Sequence, residues 1–311
     1  MRVTVTGASG LIGAALVAEL RAHDVSVTIL SRGAGHQSTV TAGVETVRWD
    51  PLGEPAPTAA LAGADAVVHL AGENVAQRWS EQAKRAIRAS RVTGTRNLLA
   101  GLAAAGRSAA GQPPRTLISA SAIGYYGAHG AEPLDEDAPP GRDFLAETCV
   151  AWEREAERAS ELGMRVVRLR TGVVLDREGG ALKKMLLPFR LGLGGPVAGG
   201  RQYISWVHRD DLVGLMIAAL KDERWSGPVN GTAPAPVTNR DFSRALGHAL
   251  HRPSLLPVPA VALRLRYGEM AEIVTTGARV MPAKALVLGY RFRHARLEQA
   301  LRSALSSALA N

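Results

Sequence analysis

Three glycines near the start of the 311-residue chain have the spacing that grips a diphosphate: Gly7, Gly10 and Gly13, within Thr6-Gly-Ala-Ser-Gly-Leu-Ile-Gly. Gly7 permits a sharp turn, Gly10 a close approach of backbone to a pyrophosphate, and Gly13 tight packing of the following helix. The amides of Ser9, Gly10, Leu11, Ile12 and Gly13 then face an anion at the positive end of that helix. Ser31 and Arg32 are the second chemical pair. They end the next β-rich run, where a dinucleotide fold that takes NAD places a carboxylate for the ribose 2′-hydroxyl. A hydroxyl and a guanidinium suit a 2′-phosphate, so the cofactor expected here is NADP(H). Arg32 as a solvated loop residue is the bland alternative.

These groups need a scaffold, and the chain supplies one. Apolar, β-branched runs at Val3–Thr6, Val25–Leu30, Glu45–Trp49, Ala66–Leu70, Thr116–Ser119 and Arg165–Leu169 read as strands. Helical patterns at Leu11–Ala22, Ser80–Leu102 and Phe144–Leu162 lie between them. That alternation predicts an α/β fold, a Rossmann-type doubly wound parallel sheet. Glycine pairs at 179–180 and 199–200 mark a change of character after Asp176, and His208–Leu220 reads as a return to helix. The expected division is a nucleotide-binding domain at 1–175, continuing in part through 203–235. A smaller, mostly helical substrate-side domain takes 176–202 and 236–311. Prolines at 253, 257 and 259 suggest a linker there, and Gly289–Phe292 reads as a short strand among the final helices. Leu102–Ala110 reads as a helix end plus loop.

Composition narrows the field. Hydrophobic residues make up 46% and charged ones 21%, the balance of a globular chain, with no apolar run long enough to span a bilayer. A strand beginning at the first residues leaves no room for a signal peptide, so a cytoplasmic protein without membrane partners is expected. The single cysteine, Cys149, excludes an internal disulfide and a multi-cysteine metal site, and no metal is expected. The formal charge is +9, and arginines crowd the C-terminal part (Arg264, Arg266, Arg279, Arg291, Arg293, Arg296). No nucleic-acid motif accompanies them, so a solvated face, not nucleic acid, is expected.

The chain resembles the extended short-chain dehydrogenase/reductase superfamily. The resemblance rests on the glycine turn, on Asp65-Ala-Val-Val-His-Leu-Ala-Gly72, and on Ser119-Ala-Ser-Ala122. Leu70-Ala-Gly-Glu-Asn74, Gly124-Tyr-Tyr-Gly127, Asp143-Phe-Leu145, Leu187–Gly195 and Trp206-Val-His208 narrow it. They are similar to the branch grouped with nucleoside-diphosphate-sugar epimerases that carries a small C-terminal domain of unknown function. The resemblance implies that Leu70, Ala71 and Gly72 lie along the adenosine and pyrophosphate. It implies that Arg91 reaches the phosphates, and that Ser119, Thr171 and Val173 flank the nicotinamide. It implies that the segment 192–202 with Gln202, and Trp206–His208, line a substrate cleft. Superfamily members often pair through two helices, so a homodimer with a small-molecule substrate is an expectation by analogy.

In that superfamily a Ser/Thr and a Tyr-x-x-x-Lys pair move the proton, the lysine lowering the phenol's pKa. Ser121 takes the Ser position. Aligning the next helix through Trp152-Glu153 puts Leu145 and Cys149 where Tyr and Lys would stand. Leucine has no proton to give, and a thiol lends no positive charge. Tyr126 and His208 are the substitute proton carriers weighed here, with Tyr125 and Glu73 as cleft residues; packing, capping and helix-terminal roles are the alternatives. Two readings remain: an NADP-dependent oxidoreductase or epimerase with an altered proton donor, or a cofactor-binding sensor or scaffold without turnover.

Overall fold

A computed structural model describes residues 1–33, 44–107 and 114–306. Seven strands form one sheet: β1 Arg2–Thr6, β2 Ser26–Ser31, β3 Glu45–Arg48, β4 Ala66–His69, β5 Thr116–Ala122, β7 Arg165–Thr171 and β11 Gly227–Gly231. Their order is β3-β2-β1-β4-β5-β7-β11, with every neighbouring pair parallel. Such a sheet must be covered on both faces, and its central strands are accordingly apolar on both. Val3, Val5, Val67, Val68 and Leu117 are fully buried. The order reverses between β1 and β4, which opens a crevice at their C-terminal ends.

α1 (Leu11–Ala22) and α5 (Arg209–Lys221) cover one face through Leu16, Leu20, Leu212 and Met216. α2 (Glu81–Gly106) and α3 (Phe144–Glu157) cover the other, with Leu98, Leu102 and Ala156 in the core. Short paired strands complete the upper part: β6 Pro133–Leu134 with β13 Arg279–Val280, β8 Val173–Leu175 with β10 Trp206–His208, and β9 Tyr203–Ile204 with β12 Val237–Thr238. Here too lie α4 (Gly180–Arg190), α6 (Asn239–Ala249), α7 (Ala260–Tyr267), α8 (Glu272–Thr275), α9 (Ala283–Val287) and α10 (Leu297–Ser306).

Three expectations change. Gly289–Phe292 is not a strand; Tyr290 and Phe292 instead pack as an edge-on pair, 4.9 Å between centroids, against the α1–α5 core. β11 went unread because Gly-Pro-Val-Asn-Gly hides it, yet an edge strand tolerates that proline. Phe144–Leu162 is α3 followed by a tighter 3₁₀ turn from Arg158. Two expectations extend outside the described residues: the loop that closes Leu102–Ala110, and the helix beyond Ser306. Trp206 sits in one apolar cluster with Leu175, Phe242 and Leu301. The C-terminal helices thus share a core with β8 and β10.

Candidate active site

The glycine turn is built as its spacing requires. Gly7 has φ +71°, and a Cβ there would fall 2.7 Å from the carbonyl carbon of Leu70. A Cβ on Gly13 would fall 2.3 Å from the Gly7 carbonyl oxygen. The Gly10 amide donates to Gly7 at 3.0 Å, and Gly10 caps α1 without any side-chain acceptor. The first-turn amides of α1 are therefore left for an exogenous anion. Leu11 packs against Gly179, tying the cradle to the start of α4. A groove of about 840 Å³ runs from Ser9, Gly10 and Leu11 along α1 to Arg209 and Val213 of α5.

Behind the cradle runs a buried polar chain. The Thr6 hydroxyl accepts from the Leu70 and Ala71 amides at 3.2 and 3.1 Å. Its one proton is then free to go to His69 Nδ1, 2.7 Å away. That leaves a proton on Nε2, which faces Thr95 Oγ1 at 3.2 Å. This relay fixes the Leu70–Ala71 backbone beside Gly7. Burial pushes His69 down to about 4, so the ring stays neutral. The consequence for pH is specific. Above 6.5 the ring is neutral in both folded and unfolded chain. Between 6.5 and about 4 only the unfolded chain takes the proton, so stability falls by about 1.4 kcal/mol per pH unit, on the order of 3 kcal/mol in all. Urea unfolding from pH 7 to 4 should show this slope, and His69→Gln should flatten it by one proton. Equal slopes in the two proteins would refute the assignment.

Ser31 ends β2, opposite Arg48 of β3, and Arg32 follows it, exposed. No carboxylate ends β2. Arg91, on α2, folds its guanidinium under the 70–73 turn. It donates to the Glu73 and Ile87 carbonyls at 3.0 and 3.1 Å, rests against Gly72 and lies over the Trp152 ring at 5.1 Å. Ser119 is buried in β5, while Thr171 and Val173, half-buried, flank Gly172 where β7 passes into β8.

The proton-transfer side looks different from its sequence pattern. Ser121 donates to Glu153 Oε1 at 2.6 Å, and that carboxylate is clasped by Arg170 through Nε (2.8 Å) and Nη2 (2.9 Å). The Ser121 proton is thus directed into the protein. Cys149 shares this cluster: burial, and then Glu153, push its thiol up to about 12, against the pull of Arg91 and hydrogen bonds involving Ala122 and Ser121. Leu145 and Cys149 both face Gly124, where a Cβ would lie 3.3 Å from Leu145 Cβ and 4.0 Å from the sulfur.

Four side chains expected at the site are engaged elsewhere. Tyr126 is fully buried, donating to Asn230 Oδ1 at 2.7 Å and accepting from Arg170 Nη1 at 2.9 Å. Burial pushes its phenol up to about 12, and it meets no cleft. His208 is buried as the cap of α5, its Nδ1 accepting from the Asp210 amide at 3.1 Å while its ring stacks on His294 at 3.8 Å. Burial first, then His294, lowers it to about 4. Trp206 is a core residue whose indole N–H donates to the Ala235 carbonyl. Gln202 spends its amide on the Val197 and Val274 carbonyls, fastening loops together. Tyr125 and Glu73 are half-buried; the Tyr125 ring lies 3.5 Å under the Arg170 guanidinium, and Glu73 accepts from Gln77.

Sequence reasoning missed the Glu153–Arg170 clasp, although a signal existed. Glu153 and Glu157 are one helical turn apart, and Arg168 and Arg170 lie two apart on one face of β7. The two periods bring the pairs opposite each other, with Arg168 Nε 3.2 Å from Glu157.

Comparison with known proteins identifies the family. The profile of the NAD dependent epimerase/dehydratase family matches residues 3–230, and a domain of unknown function, DUF1731, matches residues 258–304. The chain belongs to the NAD dependent epimerase/dehydratase family. It is 43% identical over 301 residues, 96% of each chain, to the epimerase family protein MT2273 of Mycobacterium tuberculosis. It is 39% identical over 303 residues, covering 97% of this chain and 86% of the relative, to the chloroplastic SDR39U1 homolog of Arabidopsis thaliana. The crystal structure of human SDR39U1 (isoform 2) with NADPH superposes with a TM-score of 0.86 at 34% identity, covering 98% of this chain and 100% of the human one. Among the described residues no helix is long and apolar enough to cross a membrane.

Proposed function

We propose that this chain binds NADP(H) across the C-terminal edge of its sheet and uses it for hydride transfer to or from a small molecule, without a tyrosine–lysine proton donor. The observation that carries the reading is the cradle: two glycines whose Cβ atoms would strike backbone, closing on an uncapped helix N-terminus. That shape leaves room for a diphosphate and for no side chain. The Ser9–Gly13 amides hold the phosphates, and Leu70 and Ala71 lie along the adenosine. Ser31 and Arg32 hold the 2′-phosphate. The human relative solved with NADPH supports this choice of nucleotide.

When bound, the nicotinamide supplies or accepts the hydride. The protein's part is to orient it and exclude water. With Leu145 and Cys149 at the two superfamily positions, and the Ser121 proton given to Glu153, these three positions supply no acid matched to a strongly basic alkoxide. It therefore favours acceptors whose reduced anion is delocalised, such as conjugated enones, over simple ketones and sugars. The same observation motivates a second reading, a nucleotide-binding sensor or scaffold without turnover.

Titration calorimetry with NADPH and NADH, followed by nicotinamide oxidation against sugars, ketones and enones, separates these readings. Turnover by an enone supports the first. Tight binding without turnover supports the second, and no heat with either nucleotide sinks both. Arg32→Ala should weaken NADPH binding by about 1.5–3 kcal/mol, one lost charge-assisted contact, and leave NADH nearly unchanged. An equal loss for both nucleotides would remove the 2′-phosphate assignment.

A further inference from the structure

Among the described residues, seven of the fourteen large hydrophobic side chains left exposed lie on two segments that run side by side and on the helices flanking them. The chain from the end of α4 through residue 198 runs beside the segment 252–258. Arg252 Nε donates to the Arg190 carbonyl, the Leu256 amide to Gly194, and the Val258 amide to Pro196, with a parallel bridge between Val197 and Val258. α7 follows directly. Leu187 (66% exposed) and Leu191 lie one turn apart at the end of α4, and Val261 and Leu265 (76%) one turn apart on α7. Between them stand Leu193, Leu255 (80%) and Leu256. α7 buries none of its own residues. A contiguous apolar ribbon of this kind normally has a partner.

Charge says which. Residues 179–209 contain no aspartate or glutamate, nor do residues 242–268. Lys183, Lys184, Arg190, Arg252, Arg264 and Arg266 in these stretches are exposed and enter no ion pair among the described residues. Arg244, in the second stretch, pairs with Asp241 just before it, and Arg224 and Arg158 elsewhere are likewise paired with carboxylates. Exposed leucines interleaved with unpaired cations are complementary to one kind of surface. Phosphate headgroups meet the cations, and the headgroup–acyl boundary takes the leucines.

We propose that α4, the paired segments 191–198 and 252–258, and α7 form a docking face for an anionic lipid bilayer, held at the interface without a spanning segment. The prolines at 253, 257 and 259 hold the 253–257 stretch free of regular structure, so Leu255 and Leu256 project from it. The face belongs to the substrate-side part of the molecule. Lys184 Nζ reaches the Ala76 carbonyl in the loop after Glu73, and Gly268, at the end of α7, rests on Arg78 of the same loop. Docking would thus turn the substrate side toward the bilayer.

Co-flotation of the intact protein with vesicles tests this. Vesicles of phosphatidylcholine containing one-quarter phosphatidylglycerol should carry the protein at low salt, and pure phosphatidylcholine vesicles should not. High salt should release it. Leu187→Glu combined with Leu265→Glu, and separately Arg264→Glu combined with Arg266→Glu, should each lower partitioning at least tenfold. Val287→Glu, at an 86% exposed valine on α9, should leave it unchanged. NADPH titration of every variant checks folding and isolates the result: lost flotation with intact nucleotide binding concerns this face alone. Absence of flotation, equal binding to neutral vesicles, or indifference to the leucine pair would overturn the proposal. So would a dimer in solution that these same substitutions dissociate, because the face would then belong to a second copy.

Discussion

Gly13→Ala should reduce NADPH affinity by on the order of 100-fold, about 2.7 kcal/mol. Two effects oppose each other at this site. Gly13 lies within α1, where alanine would ordinarily gain about 1 kcal/mol of helix propensity. The new methyl, however, would sit 2.3 Å from the Gly7 carbonyl oxygen and 2.7 Å from the Ala8 Cα. Both contacts are with backbone of the phosphate turn, which cannot rotate away as a side chain can. Overpacking of this kind costs about 1–3 kcal/mol, and relief requires moving the amides that face the anion. The clash should therefore outweigh the propensity and appear more in binding than in stability. Gly130→Ala is the matched control, since a Cβ there meets nothing within 4 Å. Calorimetry and denaturant midpoints on both variants decide the matter; unchanged NADPH affinity in Gly13→Ala would contradict the cradle.

Arg170→Ala should be the most destabilising single change at the site, by about 3–5 kcal/mol. Arg170 and Glu153 are 3% and 5% exposed, joined by two hydrogen bonds. The same guanidinium donates to Tyr126 and to the Glu136 carbonyl, and it covers the Tyr125 ring. Its removal strands a buried carboxylate and unseats two aromatic rings. The diagnostic is a rescue. Arg170→Met combined with Glu153→Leu removes both charges at roughly constant volume and should recover more than half of the loss. If the double variant unfolds as readily as Arg170→Ala, packing around the aromatic rings, not charge, governs the site.

How much of this could be read from the residues depends on the range of the interaction. The parallel strands were legible because burial on both faces leaves an unbroken apolar run, as at Ala66–His69. α1 was legible to the residue because the glycine turn fixes its start and His23-Asp24, with Asp24 at φ 57°, ends it. Only two residues separate Gly7 from Gly10, so the cradle is local information. The surroundings of Tyr126 and His208 are not legible in the sequence because they are set by Asn230 and His294, 104 and 86 positions away. Aromatic and imidazole side chains near a strand end look alike in sequence whether they line a cleft or fill a core. Trp206 fell the same way, its N–H taken by a carbonyl in a later loop. The clasp on Ser121 is harder to read because it joins Glu153 of α3 to Ser121, 32 positions earlier, and to Arg170, 17 positions later.

The Asp211 carboxylate, fully buried in the first turn of α5, accepts the Arg293 and His294 amides at 2.7 and 2.9 Å, while its own carbonyl receives the Tyr290 hydroxyl. A stretch 82 positions further along the chain thereby latches onto the helix that packs against α1 on the nucleotide side. During synthesis, a ribosome that has passed α5 but not residue 294 leaves that carboxylate with no donors and the apolar ring of Tyr290 uncollected. The nucleotide half is therefore completed only once residues 290–294 have emerged, and a nascent chain cut short before the latch should be a ready substrate for quality-control proteases.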